Sequence, residues 1–468
     1  MQHHKKRYQS PGFTIVELII VIIVIGILVT LAVVGYGGVL SNARDKAVLS
    51  DVDGVASEIT RYSVKNSGTY GSAVNWYSGG AANANIKFSP SDGNIIDVVA
   101  TSDSYCIRAY NPSSKTYNSL STAYTKGSSN NTCATLPPSS GVLALNPIVN
   151  GGVVTTVAGM TTPGFVNDTG TAARFDGLLD ITVNDAGNLY VADKNNRVIR
   201  QITPAGVVTT FSGGTYGYLD GAANVARFIA PQGIAIDSTG VLYVTDYNRI
   251  RKIAPDGSVT TLAGRGDYTF MDGTGTEASF NNPYGLTVDM SGNVYVADYG
   301  NHRIRKITPS GVVTTLAGSG VAGELDGTGS AAQIGYPTDV AIDHNTGNLY
   351  IVDESQKIRK ITPAGVVSTF AGSTWGYADG TGTAAKFWTP QSLVMDLWGN
   401  IYVSDTSNNR IRKVTAGGIV TTLAGSSSGY LDGIGTAARI KSPYGITVSP
   451  TGILYIVEYE DNRIRKIQ

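Results

Sequence analysis

The chain has 468 residues, with 35 Lys and Arg balanced by 35 Asp and Glu, and 57 glycines. It is long enough for two or three globular units with sizeable cores, and its even charge gives no support to a polyanion partner. Two cysteines occur, Cys106 and Cys133, both ahead of the Gly-rich second half. They fit either an oxidised pair in an exported domain or two inert buried thiols.

In chain order, Lys5, Lys6 and Arg7 come first, followed by an apolar run from Ile15 to Val34 that holds nothing more polar than Glu17, Gly26 and Thr30. Some 20 such residues make roughly 30 Å of helix, enough to cross a bilayer with the basic end inside. A secretory signal would have a shorter apolar core followed by a small-residue cut site. Here "PG" ends the basic segment, so a cut after Gly12 would leave the apolar run at the start of the mature chain. A carboxylate in a membrane helix is costly and is usually kept for a partner. The new amine of Phe13, on this chain or a neighbour, is the obvious counter-ion for Glu17, four residues along the helix.

The stretch "GFTIVEL" resembles the prepilin-peptidase motif of type IV pilins and pseudopilins, with Gly12, Phe13 and Glu17 matching residue for residue. The resemblance implies cleavage after Gly12, methylation of the new terminus at Phe13, and help from Glu17 in assembly with other pilin subunits. Beyond "GYGG", Val48, Val52, Val55, Ile59 and Tyr62 recur at helical spacing, which predicts one long helix from Phe13 to about Lys65. The glycines suggest a segment able to stretch or melt on assembly, or a plain juxtamembrane hinge. From Tyr70 to about Leu136 the chain is polar, with strand-like runs "NIIDVVA" and "YCIRAY". Cys106 and Cys133 resemble the disulfide-closed loop at the C-terminal edge of many pilins. "LPPSSG" then reads as a linker.

Six units in the second half end a strand with nearly one word, from "NLYVAD" to "ILYIVE", and their final acids (Asp193, Asp246, Asp298, Asp353, Asp405, Glu458) recur every 52 to 55 residues. Each unit offers four strands, which predicts a propeller blade. "GVVTTVAG" (Gly152 to Gly159) precedes the first unit without companions, while the last unit stops at "RIRKIQ" without its fourth strand. A closed ring uses both fragments and removes an exposed edge. The pattern resembles NHL-repeat propellers. The expected fold class is therefore multi-domain. It runs leader 1–12, transmembrane or filament-core helix 13–34, small α+β pilin-like domain 35–136, linker 137–150, and all-β six-bladed propeller 151–468.

The propeller holds two histidines, His302 and His344, expected on opposite faces, and no Ser or Cys nucleophile stands beside a base. Asp220, Asp272, Asp326, Asp379 and Asp432 open "DG" turns, with Asn167 in the first unit. Because they repeat in every blade, turn formation is expected rather than calcium binding. Recurrent basic residues such as Arg249, Arg251 and Lys252 are expected to pair with the "YVAD" acids. After Gly151 there are 24 basic and 27 acidic residues, so no nucleic acid is expected. Phe165, Tyr218, Phe270, Tyr377 and Tyr430, two residues before the "DG" acid, are expected to pack between blades.

The informative positions differ among units on one face. They are Tyr216, Tyr268 and Trp375 four residues before the "DG" acid, Tyr247, Tyr299 and Tyr459 after the second strand, and Trp388, Tyr284 and Tyr444 at the entry to the innermost strand. Uneven exposed aromatics on a rigid ring fit a binding surface for an extracellular glycan or protein. The expected protein is a pilin-like minor or tip subunit, processed by prepilin peptidase. It would be held in the bacterial cytoplasmic membrane with its N-terminus inside, then displayed at the surface with no catalysis, metal or cofactor. An anchored lactonase- or lyase-like enzyme and a secretion pseudopilin are the alternatives.

Overall fold

The computed structural model describes residues 152–396 and 398–468, and the backbone of 76–77, 80–81, 95–100, 104–110 and 124–125. Gly12, Phe13, Glu17, the membrane and helical segments, the linker and Cys133 lie outside the described residues. The chain divides into two units, Met1–Leu136 and Pro137–Gln468.

In the first unit the described residues form an antiparallel sheet. Its strands, in spatial order, are Gly80–Ala81, Trp76–Tyr77, Ile95–Ala100, Ser104–Tyr110 and Tyr124–Thr125. The two longest are those read from "NIIDVVA" and "YCIRAY", and Cys106 lies opposite Val99 in their register. Among the described residues no helix is long and apolar enough to cross a membrane.

The second unit is a ring of six antiparallel sheets. In blade 3, for example, the strands from the axis outward are Pro283–Val288, Val294–Asp298, Arg303–Ile307 and Val312–Ala317. The second strand of each blade is covered on both faces by its neighbours, so "VYVAD" is buried throughout and reads as continuous apolar sequence rather than alternation. The core lies between blades: Ala297, Ile304 and Ala317 of blade 3 pack with Ile334, Val340 and Ile351 of blade 4.

Ring closure follows the sequence reading. Val153–Gly159 pairs with Arg463–Ile467 as the outer strand of blade 6. Val153 and Gln468 exchange backbone hydrogen bonds of 2.8 and 3.2 Å. The outer edges of the blades are also covered, because the segment after each "DG" acid adds a short pairing, as in Gly273–Thr274 against Val312 and Val313. Such cover blunts strands that would otherwise recruit another chain.

One irregularity positions the centre of the ring. The innermost strand of every blade shifts register just after its first residue, as between Pro283 and Leu286. A bulge there re-aims the side chains that follow. The second and third residues of all six innermost strands consequently line one axial funnel.

Candidate functional site

Each blade is tied together by one arginine of its third strand. Arg200, Arg251, Arg305, Arg359, Arg412 and Arg465 are fully buried. In blade 3, Arg305 Nη1 donates to Asp298 (2.7 Å) and the Ser279 carbonyl (3.0 Å), while Nη2 donates to Asp272 (2.6 Å) and the Met271 carbonyl (2.8 Å). The expected pairing with the "YVAD" acids is therefore present, but it is half of a fork. The other half is the "DG" acid. Asp272 also accepts from Thr315 N and Oγ1 of the outer strand, so it cross-links the blade rather than making a local turn. Asn167 takes that place toward Arg200 at 2.8 Å. Turn formation belongs instead to acids on the opposite face, such as Asp237, which accepts from Thr239 N and Val241 N.

The aromatic residue before the "DG" acid also departs from expectation. It does not pack between blades; it stacks on guanidinium. Phe270 lies 3.8 Å from Arg303 and 4.8 Å from Arg305, and Tyr218, Tyr377 and Tyr430 repeat the sandwich. These rings remain 41 to 47% exposed, as a lid over a buried cation would be.

The chain direction places the blade-to-blade connections and the loops after the second strand on one face. There the predicted surface residues gather into groups. Tyr247 and Tyr268 meet edge-on at 5.1 Å with their hydroxyls hydrogen-bonded. Tyr216 lies under Arg197 at 5.2 Å, and Trp375 and Trp388 are 5.8 Å apart. Nearer the axis, Tyr284 contacts Tyr299 (4.6 Å) and Tyr444 contacts Tyr459 (5.2 Å). Tyr216, Tyr268 and Trp375 are the most exposed, at 64, 57 and 69%.

Two further residues join this face, of which Glu354 occupies the varying position after the second strand and Tyr336 was not singled out from the sequence. Tyr336, held at φ 52° just before the innermost strand of blade 4, stacks on Tyr299 and His302. Glu354 accepts a 2.6 Å hydrogen bond from the Tyr299 hydroxyl. Burial first, and that carboxylate second, hold the Tyr299 hydroxyl well above its ordinary range. Aligning the units on the proline that opens the innermost strand would have exposed Tyr336.

His302 lies between the second and third strands and His344 between the first and second, on opposite faces as expected. His302 shares its role with Asn248, Gln356, Asn409 and Asn462, each accepting from a backbone N–H of the next blade. In blade 1 the left-handed position directly before the third strand is Arg197. Asn196 instead donates to Asp193, as Asn301 and Asn408 do to Asp298 and Asp405.

At the centre is a funnel of about 310 Å³, including space open to solvent. Tyr284 and Tyr444 form part of its wall, and Asp180 and Asp339 lie at corresponding positions of blades 1 and 4. Burial pushes the Asp339 carboxyl up to about 6, and burial, with Asp339 as a second cause, pushes Asp180 well above its usual range. Among the described residues no group of three or more His, Cys, Asp or Glu is placed to hold a metal ion.

Comparison with known proteins agrees with this architecture. Residues 217–275 match the teneurin NHL domain and residues 280–307 match the NHL repeat. The chain is 29% identical over 320 residues to Suppressor of quenching 1 of Arabidopsis thaliana, covering 63% of this chain and 30% of that one. It is also 29% identical over 332 residues to teneurin-3 of Danio rerio, covering 60% and 12%. It thus spans less than a third of either relative. Among solved structures, it is similar to a protein of unknown function from Bacteroides thetaiotaomicron (TM-score 0.55, 18% identity, 80% and 87% covered). It is also similar to an auxiliary nutrient binding protein from Bacteroides ovatus (TM-score 0.53, 18% identity, 68% and 77% covered). With the closed ring of six four-stranded blades, the matched repeats define an NHL-repeat β-propeller.

Proposed function

We propose that the chain is a type IV pilin-like surface subunit whose propeller serves as a non-catalytic binding head for an extracellular glycan or protein. The observation that carries the binding role is the concentration of uneven, rigidly held aromatics on one face. Tyr216, Tyr268 and Trp375 are exposed, while the repeated arginines and acids on that face are committed to holding blades together. Large flat rings on a rigid scaffold supply contact area at low entropic cost. The pilin half of the proposal rests on Gly12, Phe13 and Glu17 and the apolar run that follows. Prepilin peptidase and other pilin subunits are its partners, first at the cytoplasmic membrane and then at the cell surface.

The processing test is direct. In cells with a working prepilin peptidase, N-terminal mass analysis should find a mature chain starting at Phe13. An intact leader would remove the pilin assignment while leaving the binding head standing. Glu17→Ala should still insert in the membrane, since the apolar length is unchanged, but should enter filaments poorly.

A further inference from the structure

We propose that the axial funnel on the aromatic face is a receptor site for a primary alkylammonium group. This deepens the binding reading above and rests on it. The funnel offers acceptors and aromatic faces to a ligand, and among the described residues that line it none is Lys or Arg. Asp180 accepts from Ile181 N and from Ile234 N of the next blade, both at 2.8 Å. Asp339 accepts from Val340 N, Leu393 N and Ser392 Oγ. These neutral donors fix the carboxylates in place without cancelling their charge, and a buried uncompensated anion is costly.

Independently, Gln232 is 5% exposed and lines the same funnel. Its Nε2 is spent on Asn282 Oδ1 at 3.1 Å, and its Oε1 has no hydrogen-bond partner. An ammonium carries three donors and no acceptor, the complement of two carboxylates and an amide oxygen.

The site is built rather than incidental. The six corresponding positions are Asp180, Gly233, Gly285, Asp339, Ser392 and Gly445. A Cβ on Gly285 would come 1.9 Å from Asp339 Oδ1, and one on Gly445 would come 2.5 Å from Asp180 Oδ1. Each carboxylate thus occupies space that its neighbour's glycine leaves empty. At the mouth, Tyr284 and Tyr444 with their partners Tyr299 and Tyr459 present ring faces, and Glu354 adds a carboxylate beside Tyr299. Ring faces and a carboxylate together attract an alkyl cation. A straight aliphatic amine can lay its chain on the rings and send its head to the carboxylates.

The test is calorimetric titration of the full chain in detergent with 1,5-diaminopentane, with a short lysine-containing peptide, and with the doubly N-acetylated diamine as a neutral control. The amines should bind and the acetylated control should not. Asp339→Asn should weaken binding at least about tenfold, as expected for loss of a charge-assisted contact. Glu354→Gln, at an exposed position where folding is not at stake, should weaken it by a smaller factor. Tighter binding of the peptide would identify a protein side chain as the source, and tighter binding of the diamine a free amine. No heat from either amine, equal binding of the acetylated control, or indifference to both substitutions would overturn the inference. If surface binding is still lost on replacing Tyr216, Tyr268 and Trp375, the binding face survives that failure.

Discussion

Replacing Arg305 by Met tests whether the buried guanidinium fork holds the blade together. The substitution keeps an apolar stem between Phe270 and Phe280, whose rings lie 4.8 and 5.0 Å from the guanidinium carbon, and removes four hydrogen bonds. Its two acids then fare differently. The Asp272 side chain is 44% exposed and returns to water at little cost. Asp298 is fully buried, with Asn281 N and Asn301 Nδ2 left as donors, and a buried charge stripped of its partner costs about 3–5 kcal/mol. Blade 4 supplies the internal control. There Arg359 Nη1 lies 3.7 Å from Asp353, Ser355 already serves that acid, and Glu324 and Ile334 stand where blade 3 has Phe270 and Phe280. Arg359→Met should therefore cost about 1–2 kcal/mol less than Arg305→Met, the worth of one weakened charged hydrogen bond. Adding Asp298→Asn to Arg305→Met should recover part of the loss, because the stranded charge is gone. Equilibrium urea unfolding of residues 151–468 measures all three. A cost below about 1 kcal/mol for Arg305→Met, or a larger cost in blade 4, would refute the fork as a structural device.

Deleting Gly152 to Gly159 should strip blade 6 of its outer strand and lower cooperative stability or cause aggregation, whereas removing an equal length from Thr135 to Val142 should do little; equal melting of the two would argue against closure. For Asp339, whose carboxyl burial pushes up to about 6, the folded state binds the proton more tightly than the unfolded one. Its contribution is therefore full below about pH 4 and is lost as pH rises through about 6. Asp339→Asn should lose that part of the pH dependence, and an unchanged slope of stability with pH would count against it. Cys106 and Cys133 should be recovered as a disulfide from the cell surface, closing a loop worth roughly 3 kcal/mol; free thiols there would show otherwise.

The parts of this molecule legible in its sequence are those set by short-range rules. Strand words recurring at one period, and complementary fragments at the two ends, determine the blade count and the closing strand. The pairing of Arg251 with Asp246 was legible because the two lie five residues apart on adjacent strands. Asp272 was not, because its partner Arg305 is 33 residues away and a "DG" pair reads as a turn. The aromatics before it were placed between blades for the same reason: the guanidiniums they cover come from a distant strand. The funnel carboxylates were missed because Asp180 and Asp339 occur in two of six units, and a bulge sets where they point.

Recognition of a surface ligand by the aromatic face is the proposed role of the propeller. Its most direct measurement screens the full chain, with Tyr216, Tyr268 and Trp375 intact and with all three replaced by Ala, against glycan and surface-protein arrays. A fold-controlled pair is required, with matched circular dichroism and melting. The intact chain should bind selectively and the triple variant should lose that binding. Binding that survives the triple change but disappears on altering the opposite face around Trp398 and His344 would contradict it.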